Sequence, residues 1–115
     1  MSPRALWIPF EVDDLAEATA FFTDRIGLSV VDGWDARGER GVVLRVADGA
    51  FIELVSPSAG HPPLLAFELA DESEVDAMRA GWAGESGEPH RHPRGHYGFI
   101  APSPTGMNVL VWSEK

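Results

Sequence analysis

The chain has 115 residues, no cysteine, and a formal charge of −9 at pH 7 from 18 acidic and 9 basic side chains. That length makes one domain with enough chain to bury an unstapled core, and the missing thiols exclude disulfides and fit a reducing, cytoplasmic setting. The acidity argues against a nucleic-acid partner, which calls for basic patches, and no apolar run approaches the roughly 20 residues needed to cross a bilayer.

The N-terminal stretch "MSPRALWIPFEV" lacks a cationic region followed by a long apolar segment, so it does not read as a signal peptide. Instead it alternates as a strand does. Leu6, Ile8, Phe10 and Val12 point one way, and Trp7, Pro9 and Glu11 the other. "DDLAEATAFFTDRIGL" then turns helical. Asp13 or Asp14 can cap it, with Glu17 in capping-box position. Leu15, Ala18, Phe22 and Ile26 form an apolar stripe, and Gly27 supplies a left-handed end.

"LSVVDGW" is a short strand, with Trp34 following a turn-like Asp-Gly. "GVVLRVADGAFIELVS" is a hairpin about Asp48-Gly49, a turn whose two central residues both favour positive φ. The two-residue turn sets Val46 opposite Phe51, Leu44 opposite Glu53 and Val42 opposite Val55, placing these six on one face. Residues 57–63, "PSAGHPP", form a hinge.

The pattern then restarts. "LLAFELA" is a strand with Leu64, Ala66 and Glu68 on one face, and "DESEVDAMRAGWAG" is a helix with an Asp or Ser cap. Val75, Met78 and Trp82 form its core side. A loop carrying His90, His92 and His96 precedes "HYGFIAPSPTGMNVLVW", two strands around a Pro-Thr-Gly turn. The fold class is α+β: two βαβββ modules (1–56 and 64–115) in a curved mixed sheet, each covered by a helix on one outer face. The uncovered faces carry Trp7 in the first module and Trp112 in the second.

This architecture resembles the vicinal oxygen chelate superfamily of glyoxalases, extradiol dioxygenases and bleomycin-resistance proteins. The likeness rests on "FEVDDLAEATAFFTDRIGLSVV", "FIELVSP", "LLAFELADESEVDAM" and "SPTGMNVLVW" and spans nearly the whole chain. Metalloenzymes of that superfamily hold a divalent ion with one side chain from each of four strands. Carried over one position at a time, those ligands fall on Trp7, Glu53, Leu64 and Leu110. Only Glu53 offers a donor, so the resemblance implies the metal-free, bleomycin-resistance-like branch with no cofactor.

The expected ligand site is an aromatic cavity lined by Trp7, Phe51, Leu64, Leu110 and Trp112, with Glu53 as its charged contact and Trp34 either at its mouth or in a dimer contact. The expected function is sequestration of a small molecule, aromatic or cationic, by a homodimer that needs neither membrane nor nucleic acid. Two alternatives stay open: a metal-free isomerase, lyase or cyclase using Glu53 as general acid or base, and a metalloenzyme built on His90, His92 and His96. Glu11 and Glu68, near strand ends, read as solvated.

Overall fold

A computed structural model of the protein describes residues 2–115. The chain separates into two compact units, Trp7–Pro63 and Leu64–Lys115, the latter joined by the N-terminal segment up to Leu6.

In the first unit, strand β1 (Ala5–Glu11) leads into helix α1 (Leu15–Ala20). Asp14 caps α1 by accepting the Glu17 amide at 2.9 Å, so the capping signal is used as read. The helix then widens into a π-helical segment over Phe21–Ile26 and stops at Gly27, which has φ 89°. This widening corrects the expected stripe. A π turn no longer brings residues back at 3.6-residue spacing, and Ile26 is left 59% exposed instead of buried.

Strands β2 (Ser29–Ala36), β3 (Glu39–Ala47) and β4 (Ala50–Ser56) follow as an antiparallel meander, and the strand order of this unit is β2-β3-β4-β1. Asp32-Gly33 lies inside β2 and is not a turn; the Asp32 carboxylate bonds the Gly33 amide at 2.8 Å. The real β2–β3 turn is Arg37-Gly38, both at positive φ (58° and 75°), which matches the twist of the flanking strands.

The β3–β4 hairpin closes at Asp48-Gly49 with Ala47 opposite Ala50, but of the two turn residues only Gly49 has positive φ, 72°. The right-handed turn is absorbed by a bulge between Arg45 and Ala47, which slips the register by one. Leu44 therefore faces Ile52 and Val42 faces Leu54, while Val43 faces Glu53 and Arg45 faces Phe51. One slipped residue exchanges faces. Val42 and Leu44, expected beside Glu53, lie on the opposite side, where α1 packs across β3 and β4 and Leu44 and Leu54 are fully buried.

In the second unit, strands β5 (Leu65–Glu68), β6 (His90–Arg91), β7 (Tyr97–Pro102) and β8 (Asn108–Ser113) stand in the order β5-β8-β7-β6, and helix α2 spans Glu72–Ala80. The β5–β8 pair is parallel and the others antiparallel, so the sheet is mixed. Asp71 caps α2 by accepting from the Glu74 amide at 3.0 Å and the Ser73 hydroxyl at 2.7 Å. Its carboxyl is held below the usual range by those bonds, the Ser73 hydroxyl first.

Beneath α2 lies the core of this unit: Leu69, Val75, Phe99 and Val111, with Met78, Trp82 and Tyr97 packed against it. Trp82 meets Phe99 edge to face at 5.2 Å and packs half-buried against this core, but from beyond the end of α2 instead of on the helix as expected. No helix among the described residues is long and apolar enough to cross a membrane.

Candidate functional site

The helix-free face of the first unit carries the aromatic groups. Trp7, at the centre of β1, stacks on Phe51 of β4 with ring centroids 4.4 Å apart and planes 26° from parallel. Register places Val43 and Glu53 side by side on the face of Phe51, with Asp32 of β2 next to Val43. Both Trp7 and Phe51 are half-buried, as is Glu53. The carboxylate thus sits two residues along β4 from the stacked pair, on the same side.

Trp34 closes this face at the Gly41 and Val55 row. Its indole lies flat over Gly41, where even one added methyl would collide with the six-membered ring. The indole N–H donates to Glu39 Oε2 at 2.8 Å, across the β2–β3 hairpin. Neither Gly41 nor Glu39 was singled out in the sequence. The signal for them is weak: a glycine opening a β-branched strand beside a tryptophan three positions from a turn.

Glu11, expected to be solvated, is instead an anchor. It accepts from the amides of Ala59 (2.8 Å) and His61 (3.0 Å) and from His61 Nδ1 (2.8 Å), pinning the segment that leaves β4. These bonds hold its carboxyl below the usual range, the His61 side chain having the largest effect.

In the second unit the helix-free face carries Ala66, Glu68, Leu110 and Trp112, paired in register across β5 and β8, with Leu64 just before β5. Glu68 is buried, not solvated, and its Oε2 lies 3.8 Å from Arg4 Nε. Gly98 of β7 pairs with Trp112, and a side chain there would run into the Trp112 backbone.

The three histidines form a column ending on that tryptophan. The rings of His90 and His92 are 4.1 Å apart, those of His92 and His96 4.4 Å apart and within 5° of parallel. His96 then meets Trp112 edge to face at 5.6 Å. His90 Nδ1 lies 3.0 Å from the Glu88 carbonyl and His92 Nε2 3.4 Å from that of Gly98. A carbonyl only accepts, so those ring nitrogens carry the protons. Burial first, and then the neighbouring His92, Arg94, Arg91 and His90, push His96 down to about 4. His92 is lowered for the same first reason.

The loop is also tied to α2. Arg91 pairs with Glu72, donates to the Gly95 carbonyl at 2.7 Å and lies over the Tyr97 ring, whose hydroxyl bonds Asp76 at 2.6 Å.

The four-strand metal centre of the metalloenzymes in the resembled superfamily does not fit these side chains. Trp7 is occupied in stacking, leucines stand at 64 and 110, and Glu53 alone among the four positions has oxygen donors. Among the described residues no group of three or more His, Asp or Glu is disposed to hold a metal ion. A groove of about 710 Å³ along α1 and the π segment, lined by Asp14, Glu17, Phe21, Phe22, Asp24 and Arg25 among others, contains none of the expected ligand residues.

Two capped helices and this mixed sheet are the vicinal oxygen chelate fold, and solved structures bear out the fold. A glyoxalase/bleomycin resistance protein/dioxygenase superfamily member from Vibrio splendidus 12B01 aligns over 94% of this chain and 96% of its own, with TM-score 0.61 and 17% identity. Methylmalonyl-CoA epimerase from Mycobacterium tuberculosis aligns over 99% of this chain and 88% of its own, with TM-score 0.64 and 19% identity. An NAD-dependent benzaldehyde dehydrogenase structure from Legionella pneumophila aligns over 96% of this chain and 99% of its own, with TM-score 0.75 and 14% identity. At these identities the likeness establishes the fold alone. No protein-family profile matches the sequence, and no curated protein matches it.

Proposed function

We propose that the protein is a metal-independent small-molecule binder that sequesters a planar aromatic ligand, preferentially one bearing positive charge, as a bleomycin-resistance-type protein would. The observation that carries this reading is the Trp7–Phe51 stack with Glu53 beside it on the same helix-free face. Half-buried aromatic rings give a planar ligand stacking area, and a carboxylate among apolar neighbours favours a cation over a neutral or anionic guest. The strongly acidic chain adds long-range attraction of the same sign.

Each unit carries its own proposed ligand contacts: Trp34 with Trp7, Phe51 and Glu53 on the first, and Leu64, Leu110 and Trp112 on the second. A homodimer in the cytoplasm is part of the same reading. The exposed Phe21, Ile26, Val30, Val31 and Val46 of the first unit supply apolar surface for a second copy.

Proflavine, a planar cation, is a suitable probe. Calorimetric titration should show binding that Trp7→Ala abolishes and Glu53→Gln weakens, and the dye should be recovered unchanged. Equal affinity for proflavine and an anionic planar dye would overturn the reading. Glu53 also supports a second reading, proton transfer in an isomerase, lyase or cyclase, because it is the one acid beside the stacked rings on β4. Turnover of a bound compound that Glu53→Gln abolishes while binding persists would decide for that alternative.

A further inference from the structure

The histidine column lies outside anything the binding reading uses, and its geometry is unusual for an exposed loop. Three imidazoles lie in a row: His90 is tilted 32° against His92 at 4.1 Å, His92 stacks on His96 at 4.4 Å, and His96 ends edge-on against Trp112. We propose that this column is an acid-sensitive strut, which holds the Trp112 indole on the helix-free face while its rings are neutral and releases it when they are protonated. The regulatory consequence, that ligand is let go in acid, rests on Trp112 belonging to the proposed ligand face; the strut itself does not.

The physical case begins with charge. Neutral imidazoles stack through dispersion and overlap of their flat faces, whereas imidazolium rings at about 4 Å repel one another strongly when partly shielded from water. Among the described residues the charges near the column either repel a protonated ring or already have partners. On the loop itself the nearby charges are Arg91 and Arg94, both of the same sign as a protonated ring. From β7 the column meets the Gly98 carbonyl, and from β8 the uncharged indole. The nearby acids are already engaged: Glu72 with Arg91, Glu88 with Arg79, Asp76 with Tyr97, and Glu68 on β5 with Arg4.

Position explains why the switch would act on Trp112. His96 is half-buried, and burial opposes its charged form most, consistent with a ring driven down to about 4. Gly98 lets the β7 backbone run close against Trp112, so the indole has the column on one side and no side chain of Gly98 beneath it. Loss of the His96 edge contact removes one of the contacts that orient the indole.

The test needs no ligand. In ¹⁵N and ¹³C NMR spectra of the full chain, the His96 ring should titrate with a midpoint near 4, more than two pH units below an ordinary histidine. The indole N–H of Trp112, assigned by loss of its peak in Trp112→Phe, should shift with the same midpoint while the other three indoles stay native. His96→Gln should remove that shift. A His96 midpoint near 6.5, or a Trp112 titration unchanged in His96→Gln, overturns the strut.

A second pair of variants reads the same device at neutral pH, where acid unfolding plays no part. His96→Lys, which carries a charge at pH 7, should displace the Trp112 indole resonance and speed amide exchange across residues 90–97, while the neutral His96→Gln should do neither. The reverse result overturns the proposal. Proflavine affinity then separates the two readings: a Trp112 response in acid with unchanged dye affinity keeps the strut and removes Trp112 from the ligand face.

Discussion

Trp7 and Phe51 stack at 4.4 Å on the side of the first unit that no helix covers, linking the centre of β1 to the start of β4. An apolar pair on such a face is doing one of two things: packing for stability or waiting for a ligand. The two separate by magnitude. Trp7→Phe preserves a ring over Phe51 and should cost no more than about 1 kcal/mol, the scale of one aromatic pair beyond its buried area. A fully buried tryptophan would cost about 3–5 kcal/mol on truncation to alanine. Half-buried Trp7→Ala should cost less, about 2 kcal/mol, in urea unfolding, and should remove proflavine binding altogether.

Gly41 gives the second test. Its missing side chain is the space that the Trp34 ring fills, and the indole is fixed there by its bond to Glu39. Gly41→Ala forces the ring off the strand and should cost about 1–3 kcal/mol, as overpacking does. Trp34→Ala in the same chain should recover most of that loss. Because the two side chains compete for one volume, the double variant should be more stable than the sum of the single effects allows. Additive losses by chemical denaturation would mean that the strain lies elsewhere.

How much of this was legible beforehand depended on whether the decisive interaction was local. Asp14, Asp71 and Gly27 act within one turn of chain, and their chemistry identifies them directly. Strand alternation likewise put Trp7 on the face opposite Leu6, Ile8 and Phe10, where it is found against Phe51. The hairpin register failed because a bulge at Val46 carries no composition signal, and one residue of slip moved Leu44 and Val42 to the other face. Ile26 failed for a similar reason, since a π segment changes the helical period without any proline or glycine inside it. Long-range pairings were invisible: nothing near Glu68 announces Arg4, and nothing in a His-rich loop announces three rings in a row.

Thr19 offers a stabilising substitution. Its side-chain oxygen on α1 is shut off from solvent and has no hydrogen-bond partner among the described residues, while its carbonyl accepts from the Thr23 hydroxyl at 3.1 Å. A buried hydroxyl without a partner costs about 1–3 kcal/mol of desolvation. Thr19→Val keeps the branched shape and drops the oxygen, so it should raise the thermal midpoint by several degrees, the scale expected for about 1 kcal/mol in a chain of this size. An unchanged or lower midpoint would show that the hydroxyl finds a partner in solution.

Acid should destabilise the protein in two windows that separate by residue. His96, lowered to about 4 in the fold, is protonated first in the unfolded chain as pH drops below 6.5, so stability should begin to fall there and continue down to about 4. Glu11 acts in a lower window. Its carboxyl is depressed chiefly by the His61 side chain, so its contribution is complete above 4.5 and is lost as pH falls through the lower folded value. Glu11→Gln should therefore flatten the pH dependence of urea midpoints below 4.5 and leave the loss between 6.5 and 4.5 unchanged. His96→Gln should do the opposite. At pH 7, Glu11→Gln should also speed hydrogen exchange at the Ala59 and His61 amides, which the carboxylate now holds at 2.8 and 3.0 Å. Unaltered exchange at both amides would show that the segment after β4 is held by something other than Glu11.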